Sequence, residues 1–283
     1  MKWKRGRQDN SNGQIVRKKT TLLQNIVKYR TLILMCLPAI IFFFVFNYMP
    51  LPGIYVAFTS FNYRKGIFGS DFVGFDNFEF LFRSGKMWML TRNTILYNLA
   101  FIVLGNALAI FIAVLLNELR SKIFKKVSQT LMFLPYFIST VIVGLLIYNL
   151  LNYDYGFVNS VIRKFGGEGI NVYDNTKVWP IIIVLINLWQ GTGYNSIVYF
   201  AAIMGIDMEV IEASRVDGAN SFQRIRYIIL PSLKSTVVIL LLFAMGGIIR
   251  GNFGLFYNVV GTNSVLYPVT DIIETYVYRA TMN

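Results

Sequence analysis

Gly246 and Gly251 stand at the glycine spacing of a phosphate-binding loop, G-x-x-x-x-G-K-[ST]. That loop needs a lysine on the phosphates and a hydroxyl on magnesium, whereas Asn252 and Phe253 follow here. Gly166, Gly167 and Gly169 precede no lysine either. ATP hydrolysis is therefore not expected in this chain. The sequence contains no histidine, which excludes histidine-ligated zinc and Ser-His or Cys-His catalysis. The single cysteine, Cys36, can make neither an intrachain disulfide nor a cysteine metal cluster. No catalytic residue, metal or cofactor is expected.

The remaining chemistry lies in polar residues set among apolar ones. Asn187, Trp189, Gln190, Gly191, Thr192, Gly193, Tyr194 and Asn195 occupy the middle of an otherwise apolar stretch. Polar groups at the middle of a membrane are costly unless they face protein or water. Amides can hydrogen-bond a polar cargo, and aromatic rings offer flat apolar faces to its C–H surfaces. Asn187, Trp189, Gln190, Tyr194 and Asn195 are thus candidates for a substrate pathway. A purely structural reading competes with this one: glycines for close helix packing, and amides as bonds between helices. Asn98 and Asn106 carry the same two readings. Arg250 is compatible with snorkelling to the interface or with meeting substrate.

The elements that must position these residues are membrane spans. Of the 283 residues, 55% are hydrophobic and 14% charged, against about 25% charged in an ordinary soluble domain. A helix needs about 20 apolar residues to cross the hydrocarbon. Five stretches qualify: Thr31 to Tyr48, Asn93 to Leu116, Leu131 to Leu151, Trp179 to Ala202, and Pro231 to Ile249. An all-α polytopic helix bundle follows, with residues 1–30 as a basic tail and 31–283 as the transmembrane domain. Asn62 to Met89 and Asn152 to Lys177 read as polar loops, and the tail from Gly251 shows no further span. The net charge is +13, and nine Lys/Arg fall in the first 30 residues. Placed directly before an apolar run, they read as a cytoplasmic flank and not as a nucleic-acid arm. The positive-inside rule then places the N-terminus, the turn from Arg120 to Lys126, and the segment from Gly205 to Tyr227 in the cytoplasm.

That last segment is longer than a simple turn requires. Val210, Ile211, Ala213, Val216 and Ala219 give a short helix an apolar side. Gly218 interrupts it, and Phe222, Ile225, Ile228 and Ile229 restart a helical stripe. Pro231 fits the opening of the fifth span, where a missing N–H costs nothing. Helix, glycine turn and helix suit either an interfacial amphipathic anchor or a docking element for a cytoplasmic partner.

Glu212, Ala213, Asp217, Gly218, Ala219, Phe222, Ile228, Leu230 and Pro231 match a known pattern. The stretch resembles the EAA loop of permease subunits in binding-protein-dependent ABC importers, with Ser214 in place of the second alanine. Residues 201–207 (AAIMGID), 72–82 (FVGFDNFEFLF), 134–159 and the DIIETYVYRA tail also resemble the carbohydrate-uptake group, chiefly permeases for complex oligosaccharides. The resemblance implies a bacterial plasma-membrane permease that moves a sugar or oligosaccharide by alternating access. It implies as partners a second permease subunit, ATPase subunits that bind ATP and magnesium, an extracytoplasmic solute-binding protein, and membrane lipid. It implies that the loop at 205–231, with Glu212, Ala213, Asp217, Gly218, Ala219, Phe222 and Pro231, transmits the ATPase stroke. A sixth span is also implied, and none precedes Asn283. The rival readings are an ATP-independent secondary transporter, which would need ionisable groups inside the spans, and a membrane scaffold that anchors a partner.

Overall fold

Apolar runs interrupted by proline set the shape of the first element. In the computed structural model, which describes residues 28–282, helix α1 (Arg30–Phe43) runs into a π turn at Phe44–Tyr48 and a 3-10 stretch at Leu51–Phe58. Pro50 and Pro52 lack N–H donors, so the α-helical ladder cannot continue through them. The whole run Arg30–Phe58 is long and apolar enough to cross a membrane. Of the nine cations in the basic tail, only Lys28 and Arg30 fall within the described residues.

A short antiparallel ladder follows, β1 (Thr59–Ser60) with β2 (Asp71–Phe72), in the register Thr59↔Phe72. Helix α2 (Asp76–Arg83) is tied to it by Asn77, whose Nδ2 donates to the carbonyls of Ala57 and Thr59, each at 2.9 Å. The described residues fall into two compact units, the first ending at Phe80 and the second starting at Leu81.

The second unit is built on α3 (Lys86–Glu118), a 33-residue helix, and α7 (Trp179–Met204), of 26 residues. Between them come α4 (Lys122–Phe133), α5 (Thr140–Leu151) and α6 (Phe157–Lys164). After α7 come α8 (Met208–Val216), the helical run α9 (Ser221–Ser232), α10 (Lys234–Gly246), α11 (Phe253–Val260) and α12 (Ile273–Met282). Gly105, Ala109 and Ala113 recur every fourth residue along α3, and both alanines are fully buried. Small residues at that spacing let membrane helices approach closely. Leu188 and Tyr199 of α7 fill the space: a Cβ at Gly105 would meet Leu188 at 3.8 Å, and the Tyr199 hydroxyl donates to Asn106 Oδ1 at 2.5 Å. One core cluster joins Ala109, Ala113, Tyr199, Ile203, Ile229 and Leu233; the other joins Tyr97, Val143, Trp179, Ile183, Leu255 and Ile272.

Helix α3 begins seven residues before the expected second span, because hydropathy marks only the apolar part of a helix whose first turn carries Lys86. The expected third span is not one helix. It breaks after a 3-10 turn at Leu134–Phe137, and α5 leaves at 96° to the run before it. Pro135 removes a helical donor, and Ser139 starts a new helix by accepting from Ile142 N–H. The fifth span is also bent, by 52°, between α9 and α10. Pro231 does not open it: the helical run begins at Ser221, and Pro231 lies inside. A π turn at Ile225–Ile229 precedes the proline, with Leu230 N–H bonded to the Ile225 carbonyl. The ladder thus widens just before the residue that cannot donate. Among the described residues, three helical runs are long and apolar enough to cross a membrane, or up to five if each bent pair counts as one span.

Candidate functional site

The segment between α7 and α9 is built by local hydrogen bonds. Asp207 caps α8 by accepting from Glu209 N–H at 3.0 Å. At the other end Gly218 adopts φ +81°, which favours glycine. Ala219 N–H reaches the Ser214 carbonyl at 2.9 Å, and Gly218 N–H reaches Arg215 at 3.1 Å. Those two bonds are the Schellman arrangement that satisfies the last carbonyls of a helix. Asn220 then opens α9 with a capping box: its Oδ1 accepts from Gln223 N–H at 2.9 Å, and its own N–H donates to Gln223 Oε1 at 2.8 Å. Two capped helices therefore meet at one glycine with little freedom between them.

Arg224 fastens this turn to the body. Its guanidinium donates to the Ala219 carbonyl at 3.1 Å and to Ser221 Oγ at 3.0 Å. It also lies 3.6 Å from Glu118 at the end of α3. Sequence reading placed Arg224 only within the segment from Gly205 to Tyr227 and missed this role. Glu118 is too distant in sequence for any spacing rule to pair them.

Glu212, Ala213, Asp217, Gly218 and Phe222 are exposed, Ala219 is half-buried, and Pro231 is exposed within α9. The expected apolar side of α8 is not turned inward. Val216 is 88% exposed, and Val210 and Ala213 are exposed too. The buried residue is Ser214, whose Oγ returns to the Ile211 carbonyl at 2.7 Å. Hydrophobic periodicity located the helix, but it cannot say which side another chain would cover.

The polar centre of α7 divides into separate environments. Gln190 Nε2 donates to the Ile138 carbonyl at 3.2 Å, a group lying at the break between α4 and α5. Tyr194 stacks on Tyr136 of the same break, with centroids 4.7 Å apart and planes 12° apart. Gly193 permits that contact, since a Cβ there would lie 1.8 Å from the Met132 carbonyl oxygen. Trp189 is set apart from the other pathway candidates and borders an apolar cavity with Leu108, Ile112, Leu131 and Pro135. Asn187, Gly191 and Asn195 recur at every fourth residue along one face. Asn187 is half-buried and Asn195 exposed, and neither side chain has a partner among the described residues. Asn106 bonds to the Ile102 carbonyl and to Tyr199, and Asn98 donates to the carbonyls of Ile248 and Arg250. Both serve helix packing.

This arrangement has known counterparts. Residues 105–282 match the family described as binding-protein-dependent transport system inner membrane component. The chain belongs to this family. It is a multi-pass inner-membrane permease component of a binding-protein-dependent transport system. The polygalacturonan/rhamnogalacturonan transport system permease protein YteP of Bacillus subtilis is 36% identical over 263 residues, covering 93% of this permease and 81% of the relative. Protein LplB of the same organism is 32% identical, covering 87% and 77%. The crystal structure of a bacterial ABC transporter that imports the acidic polysaccharide alginate contains a chain that superposes with a TM-score of 0.82. That match is 32% identical and covers 92% of this permease and 87% of that chain. A second crystal structure of an alginate transporter includes a periplasmic protein carrying an alginate pentasaccharide and superposes equally well. The two solved structures are of ABC transporters, and the permease shares the fold of the superposed chains.

Proposed function

We propose that this permease moves a sugar or oligosaccharide by alternating access, driven by ATPase subunits that dock on the segment from Asp207 to Ser232. The observation that carries the reading is the capped helix–Gly218–helix turn, which leaves Glu212, Asp217 and Phe222 exposed while Arg224 ties its base to Glu118. A lever must be stiff at the load and anchored at the fulcrum, and the Schellman bonds and capping box supply the stiffness. A second permease subunit covers the Asn187–Gly191–Asn195 face, and sugar passes between the two. That assignment follows from the unpartnered amides on that face and from the carbohydrate cargo in the names of the relatives. ATP and magnesium belong to the partner ATPase, and an extracytoplasmic binding protein delivers the cargo. Orientation follows the cations: Arg120, Lys122, Lys125, Lys126, Arg215, Arg224 and Arg226 face the cytoplasm with the N-terminus.

Site-directed labelling tests the reading. With Cys36 replaced by serine, Ser221→Cys is expected to react with a membrane-impermeant maleimide only after the cytoplasmic face is opened. Tyr63→Cys, in the loop read as external and 93% exposed, is expected to react from outside. Labelling of Ser221→Cys in intact cells would remove the docking segment from reach of any ATPase and end the proposal.

A further inference from the structure

Where α5 ends, the structure holds a second polar concavity, remote in sequence from the pathway candidates of α7. Its volume is about 600 Å³, and its lining includes Tyr148, Asn152, Asp154, Tyr173, Asn258 and Asn263. The base is closed by backbone contact: a Cβ on Gly144 would lie 2.2 Å from the Asn258 carbonyl oxygen. Asn263 Nδ2 holds the Tyr173 carbonyl at 2.9 Å and so fixes that wall. A volume of this order accommodates a small ligand.

Several polar groups here are unspent. The Tyr173 hydroxyl is buried with no hydrogen-bond partner, a costly condition unless something fills the role. Burial also pushes its ionisation up to about 12, so it stays a donor at neutral pH. Asn258 Nδ2 is engaged by the Gly254 carbonyl at 2.7 Å and Thr140 Oγ1 at 3.3 Å, leaving its Oδ1 free among the described residues. Asn152 Oδ1 accepts from the N–H groups of Asp154 and Tyr155, leaving its amide hydrogens free among the described residues. The Asp154 carboxylate has no ion-pair partner among the described residues. Tyr148 is 45% exposed, held edge-on by Tyr173 with centroids 5.8 Å apart and by Tyr155 at 6.2 Å. Arg163, the nearby cation, is spent on the carbonyls of Tyr153 and Asp154, both at 2.7 Å, and does not line the cleft.

An exposed ring beside unspent amides, a phenol and one carboxylate suits a pyranose: C–H faces on the ring, hydroxyls on the polar atoms. The charge selects further. One carboxylate and no lining cation favour an uncharged sugar and repel a uronate. We propose that this cleft is a saccharide-binding site, separate from α7, that takes one uncharged sugar ring of the cargo, stacked on Tyr148 and hydrogen-bonded by Asp154, Tyr173 and Asn258. It rests on the transport reading above, under which this end of α5 faces outward and meets cargo before α7 does.

The test uses the full chain co-purified with its partner subunits and reads saturation-transfer NMR. The probes are neutral gluco-, manno-, xylo- and galacto-tetrasaccharides, with tetragalacturonate and tetramannuronate as acidic counterparts. At least one neutral probe is expected to receive saturation, and both acidic probes to receive none. Tyr148→Ala should weaken the neutral probe at least tenfold, while Tyr148→Phe, which keeps the ring and the packing, should hold it within threefold. Asp154→Lys should admit an acidic probe. Silence from every neutral probe, equal binding of the acidic probes to the parent chain, or unchanged affinity in Tyr148→Ala would overturn the assignment. Impermeant labelling of Glu168→Cys and ATP-driven uptake by the parent complex are read in parallel. Inward labelling or absent uptake would sink the transport reading itself, whereas outward labelling with normal uptake and an indifferent Tyr148→Ala sinks only the cleft.

Discussion

Replacing Gly218 separates backbone geometry from contact in the proposed coupling turn. Its φ is +81°, yet a Cβ built there would meet nothing within 4 Å. The cost of a side chain is therefore dihedral and not steric within this chain. An L-residue in the left-handed region costs about 1–2 kcal/mol, and asparagine, which bonds locally there, costs less. A penalty of that size changes the ratio of formed to unformed turn by a factor of about 5–30. Alanine should therefore lower ATP-driven uptake in reconstituted vesicles by up to that factor. Asparagine should stay near the parent, and leucine or valine should fall furthest, because their branches also project from an exposed turn toward the ATPase. Membrane abundance should be unchanged in all, since insertion follows the hydropathy of the spans. Two assays suffice: the amount of ATPase retained through purification, and substrate-stimulated ATP turnover. If alanine and asparagine behaved alike, or if leucine left coupling intact, the turn would not be a stiff link and the reasoning would fail.

Gly193→Ala should insert normally but lose about 1–3 kcal/mol of stability, because its Cβ would sit 1.8 Å from the Met132 carbonyl oxygen and α7 must back away; a lowered unfolding midpoint in detergent checks it. Asn93→Ala should cost about 1–3 kcal/mol for each acceptor stranded, since Nδ2 bonds the carbonyls of Pro268 at 3.2 Å and Asp271 at 3.0 Å. Protease sensitivity of the segment from Leu266 to Thr275 should rise with it, and an unchanged digest would refute the tie. Burial lifts the folded-state ionisation of Tyr173 above its ordinary value to about 12. Because burial penalises the phenolate, folding is unaffected by this group below about pH 10 and is weakened as pH rises toward 12. Tyr173→Phe should flatten that alkaline decline in thermal melts, and an identical decline in the variant would show that other groups cause it.

Much of the fold was legible because membrane insertion is governed by local composition. Twenty apolar residues announce a span wherever they occur, and the runs around α1, α3 and α7 need no partner to be recognised. Gly218 was equally legible, because a helix terminating at a glycine and restarting at Asn220 is written in adjacent residues. The break at Pro135–Ser139 was less so. Proline and a capping serine were present, but the 96° turn depends on α7 receiving the broken end through Gln190 and Gly193.

The sequence by itself determined the class of protein, the approximate spans, the charge pattern and the glycine turn, because each is a property of neighbours along the chain. Tertiary structure decided which polar residues remain available. Gln190, Asn98 and Asn106 are spent on carbonyls and helix contacts, while Asn187 and Asn195 are left without partners among the described residues. It also joined Arg224 to Glu118, and it gathered Tyr148, Tyr173 and Asn258 into one cleft. Amides and phenols look alike in a sequence. Whether one is a structural bond or a free binding group depends on what the fold brings within about 3 Å of it.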